Sequence, residues 1–221
     1  MLFRAAPLLA LTGATLVLAA CGGGGGTSTG AGLPPGCQDV PKPAAKHREL
    51  KRPTQMVQAG ERLSATVETS CGSFEIRLDT AESPRTVNSF VYLAKKGFYD
   101  DTIFTRIVPR FVVQGGDPSQ TGAGGPGYYV TEPPPANATY RMGTVAMAKT
   151  PVEPAGRSGS QFFVVTAANA GLAPKYAILG TVSSGLDVVK RIGTLGDPAS
   201  GDQGTPLATV IIRDVTIHGD G

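Results

Sequence analysis

From residue 63 onward, apolar and polar positions alternate along the chain. Leu63, Ala65 and Val67 are interleaved with Ser64, Thr66 and Glu68; after Ser70-Cys71-Gly72, Phe74, Ile76 and Leu78 are interleaved with Glu75, Arg77 and Asp79. Successive strand side chains point to opposite faces, so a period of two on both sides of a short turn predicts a hairpin with one buried face. The period then changes. Val87, Phe90, Val91 and Ala94 recur at i, i+3, i+4 and i+7, which predicts a helix. Ser83 is its candidate N-cap, and Pro84 suits the first helical position. Lys95 and Lys96 complement the C-terminal dipole, and Gly97 can take the left-handed stop. Strand patterns return at about 102–108, 111–115, 143–148, 161–166, 177–182 and 208–217. A second helix fits 186–192, where Leu186, Val189 and Ile192 share a face. No internal repeat is visible. Many short strands, two helices and long Gly/Pro loops predict a mostly β fold: a closed or nearly closed antiparallel barrel with a helix over each open end.

The first 62 residues follow another pattern. Residues 5–20 carry no charge and follow Arg4. The run is short for a membrane span, which needs about 20 apolar residues, and suits the hydrophobic region of a secretory signal. It ends Leu18-Ala19-Ala20-Cys21, which resembles the lipobox of bacterial lipoproteins. In that family the peptide is cut before the cysteine, and the cysteine sulfur receives a lipid. Residues 22–32 are glycine-rich and read as a flexible tether. The Pro-, Lys- and Arg-rich stretch up to residue 62 reads as a solvated basic stalk; its cluster from Lys42 to Arg52 could also meet anionic headgroups. The expected organisation is a signal peptide (1–20), a lipidated Cys21 with tether and stalk (21–62), and a folded domain (63–221). The expected location is the extracytoplasmic face of the cell membrane.

Composition narrows the function classes. Of 221 residues, 41 % are hydrophobic, enough for a packed core, while 30 Gly and 18 Pro exclude a helical bundle. A net charge of +3 is too small to argue for nucleic acid. With only His47 and His218, a multi-histidine metal site and catalysis by a buried histidine are poor readings. Once Cys21 is set aside, Cys37 and Cys71 remain. In an exported protein they can pair, which would contribute roughly 3–4 kcal/mol in the chain-entropy model; two separate thiols are the alternative.

Several motif matches carry no chemistry. Gly122-Ala-Gly124-Gly-Pro-Gly127 fits G-x-G-x-x-G, but Pro118 before it and Pro133-Pro134-Pro135 after it make it a loop and not a dinucleotide turn. Ser158 lacks the last glycine and the histidine partner of a hydrolase elbow. Asp100, Asp101 and Asp117 lack further oxygen ligands at metal spacing and read as solvated turn residues.

What remains is one arginine among apolar and amide-bearing strands. Phe104-Thr-Arg106-Ile-Val-Pro-Arg-Phe111-Val112-Val-Gln114-Gly-Gly-Asp117 places Arg106 inside an apolar strand pair, where it needs partners or an open groove. In Ser158-Gly-Ser-Gln161-Phe-Phe163-Val-Val-Thr166, Gln161, Phe163 and Val165 share a face.

These two segments closely resemble the cyclophilins, a family of peptidyl-prolyl cis–trans isomerases, and the likeness runs over about 63–218. It implies a cyclophilin-like closed eight-stranded antiparallel barrel capped by two α-helices, with the active groove on the outer face. It further implies that Arg106 is the catalytic arginine with Gln114 beside it, and that Phe111, Val112, Phe163 and Leu172 line a proline pocket. Ala148 and Gln161 would contact the substrate backbone, and Tyr176 would border the groove. The chain departs from familiar members at Gly171, where many carry Trp, a residue that helps to hold the inhibitor cyclosporin A. It also departs at Tyr176 (often His), Lys149 (often Asn) and Val112 (often Met). The activity implied is rotation of X–Pro bonds in proline-containing segments of exported proteins, by a monomer, with no cofactor or metal. The alternatives are a proline-peptide binding module or holdase with little isomerase activity, and an inert structural lipoprotein.

Overall fold

In the computed structural model, residues 32–219 are described. The readings on the signal run, Cys21 and the tether up to residue 31 lie outside them. The elements in chain order are β1 (Leu63–Thr69), β2 (Gly72–Leu78), α1 (Pro84–Lys95), β3 (Thr102–Val108), β4 (Val112–Asp117), β5 (Val130–Thr131), β6 (Thr144–Met147), β7 (Arg157–Ser158), β8 (Phe162–Val165), β9 (Ile178–Ser184), α2 (Leu186–Gly193), a short 3₁₀ helix (Pro198–Gln203) and β10 (Ile211–Gly219). Among the described residues, eight strands close into an antiparallel barrel in the order β1-β10-β3-β4-β8-β6-β9-β2, and β5 pairs with β7 in a separate ribbon.

The alternation of the sequence sets the two faces of this barrel. Val113 on β4, Phe162 and Val164 on β8, and Val145 and Met147 on β6 join the interior cluster. Val112, Phe163, Val165 and Ala146, one position out of phase, form a second cluster on the outer face with Phe111, Ala148, Leu172 and Tyr176 packed against it. Both helices feed the interior cluster, α1 through Val87, Phe90, Val91 and Leu93, and α2 through Val188, Val189 and Ile192.

Three expectations change. Ser83 makes no side-chain capping bond at α1; the buried Glu132 carboxylate does so, accepting from Arg85 N (3.2 Å) and Thr86 N (2.7 Å). Asp117 is fully buried, not a solvated turn residue. Its carboxylate accepts from Ser119 N, Ser119 Oγ, Thr121 N, Gly122 N and Gly124 N, and so replaces water with five donors. The compact unit takes in the residues from Leu33 on. The stretch read as a solvated stalk lies along the barrel, tied by the Cys37–Cys71 disulfide that the sequence allowed, by Gln38 N donating to Ser70 O (2.8 Å) and by Val57, which is buried in the core.

Candidate functional site

On the outer face, adjacent strands set four side chains in one row. The register pairs Arg106 (β3) with Gln114 (β4), Gln114 with Phe163 (β8), and Phe163 with Ala146 (β6). Arg106 reaches this face through a bulge, since the β3–β4 register shifts between Phe104 and Arg106. Bulges re-aim side chains in this way. The row borders a groove of about 390 Å³ lined by Arg106, Phe111, Val112, Gln114, Ala148, Lys149, Pro151, Phe163, Leu172, Tyr176 and Asp202. Of the sequence-derived site residues, Arg106, Gln114, Phe111, Val112, Ala148, Phe163, Leu172 and Tyr176 meet here. Gln161 borders an adjoining cleft instead, with Gln114, Ala148 and Lys149 common to both.

Arg106 is half-buried. Its Nε donates to Asp202 O (2.9 Å), and its guanidinium carbon stands 5.9 Å from the Phe111 ring centroid, within cation–π range. Burial lowers its pKa from the ordinary guanidinium value, while charge interactions with Asp202 and with the Tyr176 phenol oppose that shift. The side chain is therefore held at the groove wall and partly stripped of water. Asp202 belongs to the 3₁₀ helix, and no feature of its sequence marks it as a partner of Arg106.

Aromatic packing fixes the floor. Phe163 meets Tyr176 edge-on at 5.5 Å between centroids, and Tyr140 packs against both. The Tyr140 hydroxyl donates to Tyr176 O (2.7 Å) and accepts from Tyr176 N (2.9 Å); burial raises its pKa above the usual phenol value. Tyr140 thus pins the backbone of Tyr176, a role the pattern did not reveal because Tyr140 lies outside the strands. Lys149 sits 5.5 Å from the Tyr176 ring centroid and donates to Thr150 O and Glu153 O. In the adjoining cleft, burial raises the pKa of Glu153, but bonds from Thr150 and the charges of Arg157 and Lys149 hold it below the usual carboxylate value.

The amides form a relay. Gln114 Nε2 donates to Gln161 Oε1 (3.1 Å), and Gln161 Nε2 donates to Gly122 O and Gly124 O (3.0 Å each). Among the described residues, no group of three or more His, Cys, Asp or Glu is placed to hold a metal. A largely apolar groove with Arg106 and Lys149 at its wall and amides beside it can bind and reshape a peptide.

Comparison with known proteins gives the same direction. The profile of the family described as cyclophilin type peptidyl-prolyl cis-trans isomerase/CLD matches residues 64–217. A Gibberella zeae protein named peptidyl-prolyl cis-trans isomerase-like 1 is 38 % identical over 150 residues, covering 66 % of this chain and 89 % of its own. The probable peptidyl-prolyl cis-trans isomerase B of Mycobacterium leprae is 34 % identical over 200 residues, covering 83 % of this chain and 65 % of its own. A Cryptosporidium parvum cyclophilin-type isomerase, solved in the presence of the dipeptide Ala-Pro, superposes with a TM-score of 0.63 at 29 % identity, covering 71 % of this chain and 99 % of that one.

Proposed function

The chain belongs to the cyclophilin-type peptidyl-prolyl cis-trans isomerases, and we propose that it rotates X–Pro bonds of exported proteins through Arg106, from the outer side of a membrane that holds it by a lipid on Cys21. The observation that carries the mechanism is the row Arg106–Gln114–Phe163–Ala146 across four neighbouring strands, with an apolar groove against it.

The X–Pro barrier arises from the partial double bond of the amide, about 18–20 kcal/mol. As the bond twists, resonance is lost and the nitrogen gains lone-pair density. A donor that meets this nitrogen stabilises the twisted form more than either planar form. Arg106, preset by Asp202 O and Phe111, is the group suited to donate. Phe111, Val112, Phe163 and Leu172 would hold the pyrrolidine ring, with Tyr176 as the far wall. Gln114, Ala148 and Gln161 would grip the flanking backbone. No bond changes partners, so the chemistry asks for no nucleophile or general base.

Export is supported by the lipobox-like run ending at Cys21 and by the Cys37–Cys71 disulfide, a bond type that persists outside the cytoplasm. The mechanism is tested by Arg106→Ala in an X-Pro tetrapeptide exchange assay. The expected loss in kcat/KM is roughly 10²–10³-fold, that of removing one preorganised donor. A wild-type rate in this variant overturns the role of Arg106. An inactive wild type that still binds the peptide would make the groove a proline-peptide binding module.

A further inference from the structure

The stretch between Leu33 and β1 forms no ladder, so its backbone groups must find partners elsewhere. Both of its ends are tied to the barrel. Upstream stand the Cys37–Cys71 disulfide and Gln38 N on Ser70 O. Downstream, the Asn88 side chain of α1 accepts from Met56 N (2.7 Å) and Val57 N (3.1 Å) and donates to Thr54 O (3.0 Å). Between these ties, Lys46 and Arg48 reach residues 97–101 through their side chains, and the backbone lies against the 118–129 loop. Gln120 Nε2 donates to Pro43 O (2.9 Å), Lys46 N to Pro118 O (2.7 Å) and Leu50 N to Pro126 O (2.8 Å), while the Arg52 guanidinium bonds Tyr129 O.

We propose that residues 43–52 form a strap that positions the isomerase groove by fixing the 118–129 loop and, through its carbonyls, the amide of Gln161. The inference rests on the groove being the isomerase site. The four contacts fall at residues 118, 120, 126 and 129, on both sides of the Gly122 and Gly124 carbonyls that Gln161 uses. Asp117 organises only residues 119–124 of the loop. The part from 125 to 129 includes Gly125 and Gly127, whose backbone freedom is wide; Tyr128 is anchored in the core with its hydroxyl at Ser89 (3.0 Å) and Arg157 lies over the Tyr129 ring, and Leu50 and Arg52 add the backbone bonds at Pro126 and Tyr129. The consequence for the groove is discrete. Two carbonyls draw the Gln161 nitrogen toward the loop, so its oxygen is presented to Gln114, which donates to it. An amide has donors at one end and an acceptor at the other. If the loop shifts, Gln161 loses both acceptors and can flip, and Gln114 then faces a donor. The strap thereby sets which end of each amide meets a peptide, without touching the peptide itself.

Lys46→Pro and Leu50→Pro, singly and together in the full chain, delete the two backbone donors; Lys46→Pro also removes the Lys46–Asp101 ion pair, so Lys46→Ala, which loses that pair and keeps the backbone donor, is its control. Arg106 stands on β3 and is held by Asp202 and Phe111, not by the strap, so backbone grip should weaken while bond rotation is spared. The expected result is a KM raised about three- to tenfold, the scale of one hydrogen bond, with kcat within about twofold. The ¹⁵N–¹H signals of the Gln161 side-chain amide should also lose their protection from exchange. If either proline variant unfolds, Gln120→Ala with Arg52→Ala removes the two side-chain contacts and is read in the same way. Unchanged KM and unchanged Gln161 signals in a folded variant overturn the proposal, as does a fall in kcat at constant KM. Should the wild type lack turnover, the isomerase reading fails, and the Gln161 signals alone still decide whether the strap governs the amide.

Discussion

Gly171 has a φ of +64°, and a Cβ built on it would meet no atom within 4 Å. By the resemblance to cyclophilins it stands where many members carry tryptophan, and glycine offers no side chain to a ligand there. The proposed proline pocket does not depend on a side chain there, because Phe111 and Phe163 line the groove from other elements and Leu172 already lines it from the same loop. Peptide turnover should therefore persist while cyclosporin A binds weakly, by roughly 30- to 1000-fold relative to Trp-bearing members, the usual effect of losing an anchor of about 2–4 kcal/mol. Gly171→Trp has space but must adopt a left-handed backbone at a cost of about 1–2 kcal/mol. Gly171 N also donates to Asn169 Oδ1, so the turn resists rearrangement and the recovery should be partial. Titration of the drug against the wild type and the variant checks this, and near-stoichiometric inhibition of the wild type would refute it. At this scale the chemically unusual residues were readable: an arginine in an apolar strand has few explanations. Asp117, Tyr140 and Asp202 were not, because each acts through a partner supplied only by the fold.

Strand and helix phases were legible because burial on one face imposes a period on the sequence, and the two helices and all eight barrel strands fall within a few residues of their expected places. What the period could not show is where two elements meet. β5 and β7 are two residues each, too short to carry alternation. The α1 cap is a clearer case. Ser83 has the right identity and position, yet the loop after β5 delivers Glu132 to the first-turn N–H groups from 46 residues away in sequence. A charged acceptor buried at two orphan donors outweighs a local hydroxyl. Glu132→Ala should destabilise the protein by about 2 kcal/mol, the sum expected for losing a cap and exposing two buried donors to a void. Ser83→Ala should change stability by less than about 0.5 kcal/mol. Urea denaturation of the two variants checks the order, and a larger loss for Ser83→Ala would show that the hydroxyl is the effective cap.

For the molecule as a whole, the basic stretch before β1 was unreadable as structure because it has no apolar period; its order comes from hydrogen bonds to loops and strands distant in sequence. This changes how its charges can act. Lys46 pairs with Asp101 (2.8 Å), Arg48 bonds Gly97 O and Arg52 bonds Tyr129 O, so much of the cluster that could meet anionic headgroups is committed to the barrel. Among the described residues no helix is long and apolar enough to cross a membrane. We propose that attachment to a membrane is through a lipid on Cys21, which is followed by residues 22–32 before the folded unit. Acyl chains hold through burial of methylene groups, which salt does not weaken, whereas contacts between exposed charges and headgroups are screened within about 3 Å at 1 M salt. Full-length protein made in a bacterium that lipidates exported proteins should thus stay with the membrane fraction through a 1 M salt wash on the order of that screening limit. Cys21→Ala should appear in the soluble fraction or accumulate with its leader uncleaved. Release of the wild type by salt would move the anchor to the basic cluster, where Lys42 and Lys51 are not committed to the barrel, and a processed Cys21→Ala protein that stays membrane-bound would remove the lipid from the account altogether.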